Sequence, residues 1–154
     1  MSRTAEFLDN FRAAVASHEP NRVAGCFRED CRFDLPVHPS RSFTGRDQAR
    51  QNWTMIFATV PDLQIELVDA AHDGDTCWAE WKYTGTGTDG TPHLMRGVTV
   101  ITVDDTSRLR EARFYVDFVD TADVSITEHL GNDEKRSAVT TRVAAGAART
   151  AGSA

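Results

Sequence analysis

A few side chains in this sequence are of types that move protons, and their spacing limits what they can do. Asp34 stands just ahead of Pro36 in "CRFDLP", at the end of a short alternating strand. A carboxylate at a strand end beside a pocket is a candidate general base. His93 and Tyr83 lie on two strand-like runs, "HLMRGVTVITV" and "TCWAEWKYTG", joined by a Gly/Thr/Asp loop. Facing the same way, they would form an imidazole–phenol pair able to exchange protons near neutral pH. The plainer reading of His93 is an exposed hairpin histidine. His38 follows Pro36 in a loop, a place from which a side chain can gate or touch a ligand, although most loop histidines do neither.

Strand parity weighs on Asp34. Cys31, Phe33 and Leu35 form one face of its strand; Arg32 and Asp34 form the other. With the apolar face turned inward, Asp34 points to solvent or to an interface. A slip of one residue would expose the whole apolar set, so only a bulge before Pro36 would bring Asp34 in. His38, His93 and Asp34 lack any metal-ligand spacing, and no metal is expected. Serine-nucleophile, phosphate-loop and dinucleotide patterns are missing as well. "TGTGTDG" links two strands and opens no helix, so no cofactor is expected.

The elements that must position these groups are readable from periodicity. Phe7, Leu8, Phe11, Ala14 and Val15 recur at helical spacing over about residues 4–17. Pro20 suits the first position of a short second helix through Phe27. "TGRD" predicts a capping-box start near Thr44 for a third helix carrying Ala49, Trp53, Ile56, Phe57 and Val60, stopped by Pro61. The pattern then changes to period two. "LQIELVDAA", "TCWAEWKYTG", "HLMRGVTVITV" and "RLREARFYVDFV" follow one another through "HDGD", "TGTDGT" and "DDTS", the pattern of an antiparallel meander. Helices first, one short strand among them, then four strands predict an α+β fold with three N-terminal helices packed on a curved, mainly antiparallel sheet. Residues 1–130 read as one domain. Residues 131–154, rich in Ala, Gly and Thr, read as a disordered or loosely helical tail.

The predicted inward set is Phe11, Cys31, Phe33, Leu35, Trp53, Cys77, Ala79, Trp81, Tyr83, Met95, Thr99, Ala112, Phe114 and Val116. Such a lining is apolar and aromatic with a few polar tips, the make-up of a small-molecule cavity or of a filled core. Phe11, Phe33, Leu35, His38, Trp53, Trp81, Met95, Thr99, Phe114 and Val116 are the expected ligand contacts. His93, Tyr83 and Asp34 are the candidate catalytic groups.

Composition narrows the partners. A chain of 154 residues with a net charge of -6 offers no basic face for nucleic acid or an anionic membrane. No apolar run approaches the ~20 residues of a membrane span, and "MSRTAEFLDN" lacks a secretory core. Cys26, Cys31 and Cys77 are an odd set without a Cys-x-x-Cys motif. Reduced thiols and a cytoplasmic location are expected.

The stretches "CFREDCRFDLP", "FTGRDQARQNW" and "LREARFYVDFVD" make the chain resemble the SnoaL-like branch of the nuclear transport factor 2-like superfamily, over about residues 4–120. Ketosteroid isomerases, polyketide cyclases and limonene-type epoxide hydrolases share that superfamily. The resemblance implies a cone-shaped α+β barrel around an apolar pocket, a small hydrophobic ligand and a homodimer through the outer sheet face. It also implies a different chemistry from its relatives. Leu35 stands where the isomerases carry their catalytic aspartate. Phe11 replaces their tyrosine and Thr99 their aspartic acid, and Phe114 falls where hydrolases and cyclases carry an aspartate. Isomerisation, cyclisation or hydration–dehydration by proton transfer would then rest on His93, Tyr83 and Thr99. A non-catalytic ligand carrier and a dimerisation module with a filled core are the competing readings.

Overall fold

A computed structural model describes residues 1–133 and Lys135. The chain divides into one unit from Met1 to Val119 and a second from Asp120 to Ala154. Most of the tail expected over residues 131–154 lies outside the described residues. Within the second unit, residues 126–133 are helical. Ser125 opens that helix with a capping box: the Glu128 N–H donates to Ser125 Oγ at 3.3 Å, and the Ser125 N–H donates to Glu128 Oε2 at 2.9 Å.

The first unit is α+β. Helix α1 (Arg3–Ala16), helix α2 (Pro20–Gly25) and helix α3 (Arg46–Thr59) pack on a six-stranded sheet. Its strands are β1 (Phe27–Asp34), β2 (Phe43–Thr44), β3 (Gln64–Asp73), β4 (Thr76–Thr86), β5 (Pro92–Val103) and β6 (Leu109–Phe118). The spatial order is β2-β1-β6-β5-β4-β3. Only β1 and β6 run parallel, and the sheet is a curved, unclosed cone with β2 and β3 at its edges.

Three local departures from expectation have a common cause, the pairing of β1. Helix α2 stops at Gly25 because Phe27 already pairs with Leu109 on β6. Helix α3 has no Thr44 cap. Thr44 is drawn into β2 opposite Arg32, and Gly45 becomes the N-cap at a φ of 96°, with its N–H donating to the Cys31 carbonyl at 2.7 Å. Strand β1 ends at Asp34, so Leu35 leaves the ladder and its N–H donates to Ser42 Oγ at 3.0 Å. A short 3-10 turn, Pro39–Arg41, completes that loop.

Helix α1 lays Phe7, Leu8, Phe11, Ala14 and Val15 on the sheet, all at most 5% exposed. Its start is fixed by Thr4, which hydrogen-bonds His72 Nδ1 at 2.7 Å, and by Glu6, which accepts from Ser107 Oγ at 2.7 Å. Sheet curvature comes with register shifts between Leu67 and Asp69 and between Thr102 and Val103. Gly97 sits in the middle of β5 at a φ of 151°. A Cβ there would collide with the Tyr115 carbonyl oxygen and lie 2.7 Å from Val116 Cα, so β5 and β6 approach backbone to backbone.

Candidate functional site

Strand alternation builds the interior. Cys77, Ala79, Trp81 and Tyr83 on β4 face the helices, and Cys31 and Phe33 on β1 do the same; all are buried. On β5, Thr99 and Ile101 are buried and Met95 is half-buried; on β6, Ala112 is buried, with Phe114 and Val116 half-buried. Phe11 from α1 is the hub. Its ring meets Trp53 at 5.8 Å and Trp81 at 5.7 Å, both edge-on, and its neighbour Phe7 at 5.7 Å, stacked. Phe33 touches Phe114 at 5.7 Å and stacks on Phe43 at 4.6 Å. Offset and edge-on pairs of this kind add about 0.5–1.5 kcal/mol each beyond burial.

These rings enclose a void of about 20 Å³, bordered by Phe7, Phe11, Phe27, Phe33, Trp53, Trp81, Tyr83, Thr99, Ile101, Leu109 and Phe114. That is room for one water, not the ~300–1,000 Å³ of an open ligand pocket. Two larger surface hollows exist. One, of about 730 Å³, runs between Arg28, Arg46 and Arg108 and the acids Asp30 and Asp104; the other, of about 460 Å³, lies over Cys26. Part of the charged wall of the first is engaged. Arg28 bonds Asp30 at 2.9 Å and Arg46 donates to the Phe27 carbonyl at 2.8 Å. The Cys26 thiol is pushed up to about 11 by burial, away from a reactive thiolate. The interior is the candidate site.

Two polar groups there matter. Trp81 Nε1 donates to Thr99 Oγ1 at 2.9 Å in the buried core. Tyr83 is 8% exposed, and burial alone pushes its hydroxyl pKa up; no hydrogen bond holds it among the described residues. It therefore stays a phenol, a permanent donor, at any ordinary pH. No carboxylate or imidazole borders the void.

The remaining sequence candidates lie elsewhere. Asp34 is on the outer face, 3.4 Å from Arg32, and 42% of its side chain is exposed. His93 is half-buried opposite Gly85, its ring 5.3 Å from Phe118 and edge-on to it; no hydrogen bond joins it to Tyr83 among the described residues. His38 Nε2 bonds Asp117 Oδ2 at 2.7 Å. That bond holds the Asp117 carboxyl below its usual range, helped by the Phe118 N–H and by Arg41. Leu35 is half-buried past the end of β1 and does not border the void. Phe7, Phe27, Ile101 and Leu109 border it without having been singled out. Ile101 follows Thr99 at strand spacing and Phe7 precedes Phe11 by one helical turn, so both carried a signal. Among the described residues no three His, Cys, Asp or Glu side chains converge as for a metal ion, and no helix is long and apolar enough to cross a membrane.

Similar architectures are known. A protein from Catenulispora acidiphila DSM 44928 with a ketosteroid isomerase-like fold, solved with trimethylamine, is 20% identical at a TM-score of 0.64, covering 73% of this chain and 86% of that one. A candidate isomerase from Bacillus subtilis is 18% identical at a TM-score of 0.66, covering 75% and 86%. A candidate SnoaL-like polyketide cyclase from Shewanella denitrificans OS-217 is 15% identical at 0.62, covering 74% and 90%. At these identities the likeness is one of fold. No curated protein matches the chain. The SnoaL-like domain model matches residues 8–112, which take in α1 from Leu8 onward, Phe11, Trp53 and Trp81 of the interior, and the sheet as far as Ala112 on β6, and the chain belongs to the SnoaL-like domain family.

Proposed function

We propose that this chain takes a small hydrophobic molecule into the cone, between the Phe11–Trp53–Trp81 cluster and β4–β6. The observation that supports the reading is Tyr83. Its ring packs edge-on against Trp81 and borders the void, and its hydroxyl bonds to nothing among the described residues, which leaves it available to a polar group of a guest. Phenylalanine would pack as well. A hydroxyl kept in that position is suited to a guest. Room for the guest comes from Met95, Phe114 and Val116, which are half-buried and pack against the core.

The void's lining can donate hydrogen bonds and stack rings, but it offers no group that takes up a proton near pH 7. Binding is thus the better-supported part. Turnover of the isomerase, cyclase or hydratase–dehydratase type would need His93 as base, swung from Phe118 toward the guest. A panel of small aromatic and alicyclic compounds, titrated while the indole N–H resonances of Trp53 and Trp81 are followed, tests binding. Saturable shifts support the reading, and flat resonances across the panel remove it. For any compound found to be converted, His93→Ala should abolish turnover; an unchanged rate excludes His93.

The 20 Å³ void favours a second reading, a dimerisation module with a filled core. The outer sheet face supplies the surface for it. Trp78 is 41% and Tyr115 43% exposed there, beside Val98 and ringed by Glu80, Arg96 and Arg113. An apolar centre with an arginine-containing rim suits a homodimer contact in either reading.

A further inference from the structure

We infer that the hollow over Cys26 binds the phosphate group of a small organic phosphate ester, held between Arg22 and Arg108. The hollow shares no lining residue with the void inside the cone, so this is a second site and does not rest on the reading above.

Charge carries the first part of the argument. The hollow has a volume of about 460 Å³, and among the described residues no carboxylate lines it. Its charged walls are Arg22, from α2, and Arg108, from the turn between β5 and β6. Both face one centre. Burial raises the Cys26 thiol, and the charges that oppose that rise are those of Arg22 and Arg108. Both arginines are exposed, and neither makes an ion pair among the described residues. Two acids of the adjoining hollow, Asp30 and Asp104, turn to Arg28 instead, at 2.9 and 3.9 Å. In a chain with a net charge of -6, uncommitted guanidinium groups in a recess make a local field opposite in sign to the whole.

Gly25 carries the second part. It ends α2 in helical backbone, where glycine is a poorer choice than alanine. Its backbone is not in the left-handed region, and a Cβ there would meet no atom within 4 Å. Neither conformation nor packing within this chain calls for a bare position. A side chain at Gly25 would project only into the hollow that the residue lines, beside Ala13 of α1. The space left there takes the carbon body of an ester, which a free inorganic ion would leave unfilled.

Phosphate suits these donors better than carboxylate. The arginine forks match phosphate oxygens, and the Asn10 amide adds a donor from α1. Donors from three elements suit the three terminal oxygens of a phosphate monoester, whereas a carboxylate has two. The rim hydroxyls are already spent: Thr106 donates to Asp104 at 2.7 Å and Ser107 to Glu6 at 2.7 Å. Recognition therefore falls to Arg22, Arg108 and Asn10. The acidic balance of the chain opposes a long polyanion, which restricts the guest to a small molecule.

The test titrates the full chain with phenyl phosphate, inorganic phosphate and benzoate at constant ionic strength, following the backbone amide resonances of Gly25, Cys26 and Ser107. Phenyl phosphate should shift these amides saturably and bind about tenfold more tightly than either other probe. Arg22→Gln and Arg108→Gln, at exposed positions that leave the fold intact, should each weaken it about tenfold. Gly25→Leu keeps both arginines and fills the space beside them. It should weaken phenyl phosphate about tenfold and leave inorganic phosphate within about twofold. No saturable shift at these amides, unchanged affinity in either arginine variant or in Gly25→Leu, or binding of inorganic phosphate or benzoate as tight as that of phenyl phosphate would each overturn the inference. Binding in the cone is read separately, from the indoles of Trp53 and Trp81, and stands or falls on its own.

Discussion

Trp81 and Thr99 share a hydrogen bond of 2.9 Å between strands β4 and β5, buried beneath the Phe11 ring. Trp81 is 1% exposed and Thr99 2%. Their backbones are offset in register, since Trp81 lies opposite Gly97 and Thr99 opposite Ala79. The bond therefore runs diagonally and fixes the indole plane that forms one wall of the interior. Thr99→Val keeps the shape and removes the acceptor, leaving an N–H buried and unpaired. Urea unfolding should show a loss of about 1–3 kcal/mol, and Thr99→Ser, which keeps the oxygen, should lose less.

Tyr83 should behave in the opposite way. Tyr83→Phe removes a hydroxyl that bonds to nothing among the described residues and keeps the buried ring, so stability should stay within about 0.5 kcal/mol of the wild type. A clear loss in thermal or urea unfolding would mean that the hydroxyl has a structural partner.

The outer face makes a different prediction. Trp78→Asp or Tyr115→Asp places a charge in the centre of the exposed apolar patch. Sedimentation velocity should show a dimer for the wild type and a monomer for either variant, with circular dichroism unchanged. A monomeric wild type at tens of micromolar removes the dimer proposal.

Asp117 sets the acid limit of the loop between β1 and β2. Its folded pKa is depressed, chiefly by the His38 hydrogen bond. A depressed carboxyl stabilises the fold above its unfolded pKa, near 4, and that contribution is lost as the pH falls through the lower folded value. His38→Ala or Asp117→Asn should therefore lower the urea midpoint at pH 7, modestly because the pair is exposed, and flatten its fall below about pH 4 as the wild type converges on the variants. Equal acid slopes in wild type and variants would show that the pair does not couple to folding.

How far the residues announced this architecture depends on the range of the interaction that decides each element. Phe7, Phe11 and Val15 declare α1 by their own spacing, and the period-two runs from Leu63 to Val119 declare four strands, because both signals are local. Trp81, Tyr83 and Thr99 were placed inside by alternation alone. What local signals do not carry is the partner of a strand. Parallel pairing of β1 with β6 joins Phe33 to Ala112 and shortens α2. The small antiparallel ladder of β1 with β2 joins Phe33 to Phe43 and moves the start of α3 to Gly45. The same pairing sets the loop after Asp34 beside the end of β6, which is how His38 reaches Asp117 rather than a ligand. The sequence reads His93 as inward by parity or, more plainly, as an exposed hairpin histidine, and neither reading supplies Phe118 as its neighbour, since that contact depends on how far β6 extends.

Gly97 carries the last consequence. Where it crosses Tyr115 and Val116, two main chains touch with no side chain between them, so Gly97→Ala should cost more than about 3 kcal/mol or abolish folding. The main chains of β5 and β6 at that level are thus inelastic, and any yielding there falls to half-buried side chains such as Met95, Phe114 and Val116. An interior of another calibre would have to be carved from the helical side, by trimming Trp53 or Phe11, leaving the glycine crossing as a fixed gauge around which variants of this scaffold are sized.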